Sequence, residues 1–99
     1  TTSRLGRLPK GQVQLHTLIA RKHLALRDFT EARSEIERAI KLNNEAVWPR
    51  VVLTHILLQE GKDWEAAEKA LRDVLALDPN HQEAKRNLEV LLREHRKPR

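Results

Sequence analysis

The stretch from residue 63 to residue 79, DWEAAEKALRDVLALDP, constrains the fold more than any other part of the chain. Its apolar residues recur three and four positions apart, which places them on one face of an α-helix. Asp63 can cap this helix by accepting a hydrogen bond from an amide of the first turn. Pro79 ends the helix, because a proline in a helix interior lacks a backbone donor and clashes with the preceding turn. We therefore expect an amphipathic helix between these two residues.

A second copy of this pattern lies 35 residues earlier, in the stretch DFTEARSEIERAI that begins at Asp28. Acid, aromatic and small residues correspond between the two stretches. The segments that precede the two copies correspond with an offset of 34, because Lys62 is an extra residue in the second connection. A self-match at this period predicts stacked helical hairpins.

The hydrophobic periodicity predicts five helices, over residues 13–26, 30–42, 46–60, 63–77 and 81–95. Pro49 fits the first turn of the third helix, and Gly61 fits the left-handed position after its last turn. Capping boxes are expected at residues 28–31 and 80–83. The buried side of the first helix is predicted to carry Leu15, Leu18, Ile19, Ala20 and Leu26. That of the second helix is predicted to carry Phe29, Ala32, Ile36, Ala39, Ile40 and Leu42.

The two ends of the chain lack this periodicity. Residues 1–12 contain Pro9 and Gly11 and are predicted to form an irregular lead-in or linker. Residues 96–99 are expected to be a basic tail that frays.

The paired stretches resemble the tetratricopeptide repeat (TPR) family, most closely in the Asp–aromatic opening, the spaced small residues and the Asp78-Pro79 ending. The resemblance implies an all-α fold, a right-handed α-α superhelix of two TPR-like helical hairpins plus a C-terminal capping helix. The TPR-like domain would span residues 13–95, with repeats at 13–44 and 45–79 and the capping helix at 80–95. Arg27 stands where the family usually has a turn glycine.

The resemblance also implies a binding surface. In this family the first helix of each hairpin lines a concave groove in which extended peptides or partner helices lie. The groove residues would be Gln14, Thr17, Arg21, Trp48, Val52, His55, Gln59 and Asn87. Trp48 is the expected anchor, because exposed aromatic residues dominate interface energies. The expected function is a non-catalytic scaffold that binds a protein or peptide.

One kind of ligand is not expected. Chaperone-binding members of the family hold a C-terminal carboxylate with a clamp of basic and amide residues. By resemblance, that clamp would need Lys, Asn, Asn, Lys and Arg at the positions of Thr17, Arg21, Val52, Glu83 and Asn87. None of the five residues matches, so we do not expect a clamp for an acidic C-terminal tail.

The composition gives no support for catalysis, a cofactor or a metal. The three glycines are isolated, so no phosphate-binding loop is formed. His16 and His23 would be about 10 Å apart along a helix, which is too far to share one metal ion. There is no cysteine, which fits a reducing compartment and favours the cytoplasm. The longest apolar run is too short for a membrane-spanning helix.

The net charge of +5 is concentrated at the two ends of the chain. These basic ends suggest a second function, weak binding of nucleic acid or of an acidic partner. Nucleic acid is the less expected ligand, because the chain lacks an aromatic ladder for base stacking. Two repeats and a cap are also fewer than the three usually needed for stability. A homo-oligomer, or a scaffold segment within a larger enzyme, is therefore a third possibility.

Overall fold

The computed structural model describes residues 2–95, and the side chains of residues 11–95. This part of the chain contains five α-helices and no strand: α1 (Thr2–Ala25), α2 (Phe29–Leu42), α3 (Val47–Glu60), α4 (Trp64–Leu77) and α5 (Gln82–Glu94). The predicted all-α fold is therefore confirmed. The predicted basic tail, residues 96–99, lies outside the described residues.

The helices pack as two hairpins followed by a single helix. Within the hairpins α1 contacts α2, and α3 contacts α4. Helix α3 also packs on α2, α5 packs on α4, and the first helices α1 and α3 contact each other. The loops between consecutive helices are only three or four residues long, so neighbouring helices run in roughly opposite directions.

Four helix ends follow from local chemistry. The carboxylates of Asp28 and Asp63 accept hydrogen bonds from the amides of Glu31 and Ala66, which confirms both acidic caps. Gly61 ends α3 with a left-handed φ of +68°. The cap of α5 differs from the prediction: it is His81 rather than Asn80. The Nδ1 atom of His81 accepts a hydrogen bond from the Ala84 amide, in the role usually taken by a short polar side chain.

Helix α1 begins at Thr2, so the prediction of an irregular lead-in at residues 1–12 is wrong for residues 2–12. That prediction rests on Pro9 and Gly11. Their cost in a helix interior is about 3 and 1 kcal/mol, which lowers helix propensity without forbidding a helix. A Cβ atom added at Gly11 would meet no atom within 4 Å, so this part of α1 is open around the glycine.

The side of α1 that faces the core also differs from the prediction. It is formed by Val13, Thr17, Ala20 and Leu24. The leucines expected there are more than half exposed: Leu15, Leu18 and Leu26. Leu42 of α2, also expected in the core, is exposed. Thr17 is tolerated inside because its hydroxyl donates a hydrogen bond to the Val13 carbonyl at 2.7 Å.

Short side chains fill the closest contacts between helices. Ala32 and Ala39 of α2, and Ala67 of α4, have no exposed surface. Alanine lets helix axes approach to about 8–10 Å, and branched side chains such as Ile36 and Leu71 fill the space beside it. Two core clusters result, one around each hairpin, and Leu53 of α3 packs against both.

Arg27 and Gly61 occupy corresponding positions in the two hairpin turns, and both are left-handed, with φ of 58° and 68°. This conformation costs an L-residue about 1–2 kcal/mol and glycine little. The guanidinium of Arg27 lies 5.0 Å from the centre of the Phe29 ring, and this cation–π contact offsets part of the cost.

Replacing Ala67 with leucine tests the close helix packing. Ala67→Leu should overpack the α3–α4 hairpin and lower the free energy of unfolding by about 1–3 kcal/mol. The matched control is Ala76→Leu on the exposed side of α4, which should change stability by less than about 0.5 kcal/mol. Urea unfolding followed by circular dichroism measures both. Equal midpoints for the two variants would contradict the packing.

Two glycine substitutions test the backbone. Gly61→Ala should destabilise the chain by about 1 kcal/mol, because alanine is strained at positive φ. Gly11→Ala should stabilise it by about 0.5–1 kcal/mol, because Gly11 lies inside α1 with open space around it. Thermal melts of both variants give the two signs. A Gly11→Ala variant with no gain would count against the helical conformation at residue 11.

Candidate functional site

The first helix of each hairpin and α5 present polar and aromatic side chains on a common surface. Trp48, His55 and Gln59 are all on α3, where His55 and Gln59 follow Trp48 by seven and eleven residues, which puts the three on one helix face. We call this the first-helix surface. It comprises Gln14 and Arg21 of α1, Trp48, His55 and Gln59 of α3, and Glu83 and Asn87 of α5.

Trp48 is the central aromatic residue of the first-helix surface. Its side chain is 39% exposed, although it lies in the first turn of α3, next to the buried Pro49. The guanidinium of Arg21 lies over the indole, 6.0 Å from the ring centre. The cation–π attraction at this distance is worth about 0.5–1 kcal/mol at an exposed site, and it joins α1 to α3. The indole thus contacts α1 while part of it stays accessible.

A second contact joins α3 to α5. The Nε2 atom of His55 lies 3.1 Å from a carboxylate oxygen of Glu83, within hydrogen-bond distance. Both side chains are about one-third exposed or more, so this pair is solvated and contributes little to stability. The contact shows that α3 and α5 are neighbours at this surface, where Asn87 lies one turn beyond Glu83.

Two of the predicted groove residues lie in the core. Thr17 and Val52 have 0% and 1% of their surface exposed. Their side chains fill the space between the helices rather than the surface. The remaining six predicted residues are exposed or half-buried: Gln14, Arg21, Trp48, His55, Gln59 and Asn87.

The first-helix surface carries charge of opposite sign at its two edges. Arg21 supplies a cation on the α1 side, and Glu83 supplies a carboxylate on the α5 side. The surface also carries the uncharged amides of Gln59 and Asn87. Each amide offers both donors and an acceptor, which suits hydrogen bonding to a peptide main chain.

Among residues 11–95, no three histidine or carboxylate side chains are grouped closely enough to hold a metal ion. Within the described part of the chain, no helix is both long enough and apolar enough to cross a membrane.

The cross-helix contacts of Arg21 with Trp48 and of His55 with Glu83 were not predicted. The repeat register places each residue on its helix, but the rotation of one helix against the next decides which side chains meet. No signal in the sequence specifies that rotation.

Comparison with known proteins agrees with this architecture. The tetratricopeptide repeat family model matches residues 23–88. A match over more than half of the chain shows that the protein belongs to the tetratricopeptide repeat family. Repeats of this family generally act as scaffolds for protein–protein interactions and are generally non-catalytic. No curated protein sequence matches the chain.

The exposure of the two tryptophans can be measured separately. Trp64 is half-buried and stacks on the His95 ring at 3.8 Å between centres. In single-tryptophan variants (Trp64→Phe and Trp48→Phe), Trp48 should be quenched more strongly by acrylamide than Trp64. Iodide should enlarge the difference, because Arg21 attracts the anion to Trp48. Stern–Volmer constants of equal size would contradict the arrangement of the first-helix surface.

Proposed function

We propose that the protein binds a peptide segment of a partner protein, without catalysis, on the first-helix surface. The observation that carries the proposal is the exposed indole of Trp48 on α3, which Arg21 of α1 contacts. A partly exposed tryptophan next to an arginine on a polar surface has the composition typical of an interface hot spot.

The surface chemistry indicates the kind of segment. An apolar side chain of the ligand would lie on Trp48, and the amides of Gln59 and Asn87 would bind its main chain. A carboxylate of the ligand would lie towards Arg21, and a basic group towards Glu83. Since both charged groups lie at the edges, they contribute to orientation and association rate more than to affinity.

Self-association has a specific observation in its favour and one against it. Leu15 and Leu18 on α1, and Leu26 directly after it, are exposed apolar residues. However, no acidic residue occurs between residues 2 and 25. A contact between two α1 helices would therefore bring together two helices that carry cations such as Arg21 and Lys22 and no acid to offset them. Peptide binding remains the better supported function.

A scaffold role within a larger enzyme and the binding of nucleic acid have less support. The scaffold role stays a prediction. Nucleic-acid binding depends largely on basic side chains at residues 4–10 and 96–99, which lie outside those that the structure describes.

Peptide selection followed by mutation tests the proposed function. Random peptides displayed on phage are selected against the wild-type chain, and their affinities are measured by fluorescence anisotropy. Trp48→Ala should weaken binding by about tenfold or more, the effect of losing a hot spot of at least about 1.4 kcal/mol. Leu42→Ala, which removes an exposed side chain on α2, is the matched control and should bind normally.

Two results would contradict the proposal. Peptides could bind Trp48→Ala as well as the wild type, which would place the site elsewhere. In the second case, the selection would yield no peptide, and an oligonucleotide would bind with an affinity that falls steeply as the salt concentration rises. This result would favour nucleic-acid binding.

A further inference from the structure

A second surface lies at the opposite end of the stack from α1. It is an open groove of about 500 Å³ between α4 and α5. Its apolar lining consists of Leu75 from α4 and of Leu88 and Leu92 from α5. Lys85, Arg86, Glu89 and Gln82 form its polar rim. The groove is separate from the first-helix surface and does not depend on the function proposed for it.

The repeat register relates this groove to a helix contact that is present elsewhere in the structure. Helices α3 and α5 begin 35 residues apart, at Val47 and Gln82. With this offset, Arg50, Leu53 and Leu57 of α3 correspond to Lys85, Leu88 and Leu92 of α5. The groove side of α5 therefore repeats, as cation, leucine and leucine, the side of α3 that packs against α4.

The hairpin α3–α4 shows how that side is covered. Leu57 is buried in the cluster that also contains Ala67 and Leu71 of α4. The guanidinium of Arg50 lies 3.5 Å from the Asp73 carboxylate, also on α4. The covering helix thus supplies both an apolar stripe and a carboxylate for the cation.

The first hairpin repeats the arrangement. His16 of α1 corresponds to Arg50, and its Nδ1 atom lies 2.7 Å from a carboxylate oxygen of Glu35 on α2. In both hairpins, the basic residue at this position meets an acid on the second helix. Lys85 is the third residue in this series, and among the described side chains no ion pair includes it.

We propose that this groove binds an amphipathic helix of a partner protein, which packs on α5 as α4 packs on α3 and brings a carboxylate to Lys85. The apolar stripe of that helix would contact Leu75, Leu88 and Leu92. Lys85 and Leu92 are seven residues apart, about 10 Å along the helix, so about two turns of partner helix cover this distance.

Charge argues against a second copy of this chain as the occupant. A second copy offers exposed apolar side chains on α1, namely Leu15 and Leu18. Helix α1 carries Arg21 and Lys22 and no acid. In the groove it would add these cations to a rim that carries Lys85 and Arg86 against Glu89, whereas an acidic helix would meet a rim of net positive charge.

The probe for this proposal is a synthetic peptide with the sequence of residues 63–78, which contains α4 and Asp73. A lactam bridge between Glu65 and Lys69, both exposed on α4, holds it helical, and circular dichroism verifies its helicity. Heteronuclear NMR of the labelled full chain with this peptide should shift the amides of residues 75, 88 and 92. Anisotropy with a labelled peptide gives the affinity.

A charge exchange then tests the Lys85 contact. Lys85→Glu should weaken binding of the peptide about fivefold, the upper range for an exposed ion pair. A peptide with Asp73→Lys should recover the loss with Lys85→Glu and bind the wild type more weakly. Lys41→Glu, which makes the same charge change at an exposed site on α2, is the matched control and should bind like the wild type. Trp48→Ala should also bind normally, so a failure of this inference is separable from a failure of the proposed function.

Four results would overturn the inference. The first is that the helical peptide shows no saturable binding, and the second is that its NMR shifts map to α1 or α3 instead of the groove. The third is that the peptide binds the wild type and Lys85→Glu with equal affinity. The fourth is that, without peptide, the NMR signals of the groove residues shift with protein concentration. The last result would make a second copy of the chain the occupant.

Discussion

Close packing of helices through alanine is the constraint on which the rest of the structure depends. Ala20, Ala32, Ala39 and Ala67 have no exposed surface, and each lies where two helices approach closely. Because a longer side chain at these points would push the helices apart, the alanines set the spacing within and between the hairpins. That spacing brings α1 close enough to α3 for Arg21 to reach Trp48, and α3 close enough to α5 for His55 to reach Glu83. Both of the proposed binding surfaces therefore depend on the same packing.

Much of the fold was predictable, because the sequence features that specify the helix ends are local and occur in both hairpins. The second helices begin with Asp28 and Asp63, whose capping chemistry needs only three residues of context, and Gly61 marks the end of α3 by its own conformational freedom. The rotation of α1 was not predictable in the same way. Its leucines lie on both faces, and the apolar character of Leu15 and Leu18 favours the core for them. The core takes Thr17 instead, since a close helix contact favours a short side chain and the Thr17 hydroxyl is satisfied by its own helix.

The candidate site was predicted less completely than the fold. The repeat register places Trp48 and Arg21 on the first helices, but it does not state how far each helix is rotated towards its neighbour. A small rotation separates a half-buried residue such as His55 from a fully buried one such as Val52, three positions away. Likewise, nothing in the sequence alone pairs His55 with Glu83. The groove at α5 could be interpreted only from the repeat register and the structure together. The register makes Lys85 the equivalent of Arg50, and the structure shows that Arg50 forms an ion pair with Asp73.

The burial of the alanine methyl groups can be measured directly, with methyl-labelled alanine and a soluble paramagnetic relaxation agent. The methyl groups of Ala20, Ala32, Ala39 and Ala67 should show almost no relaxation enhancement, whereas Ala25 and Ala76, which are exposed on the same set of helices, should show strong enhancement. Enhancement of Ala32 and Ala67 as strong as that of Ala76 would mean that these side chains face water. The stacked hairpins, and both of the surfaces that they support, would then be contradicted.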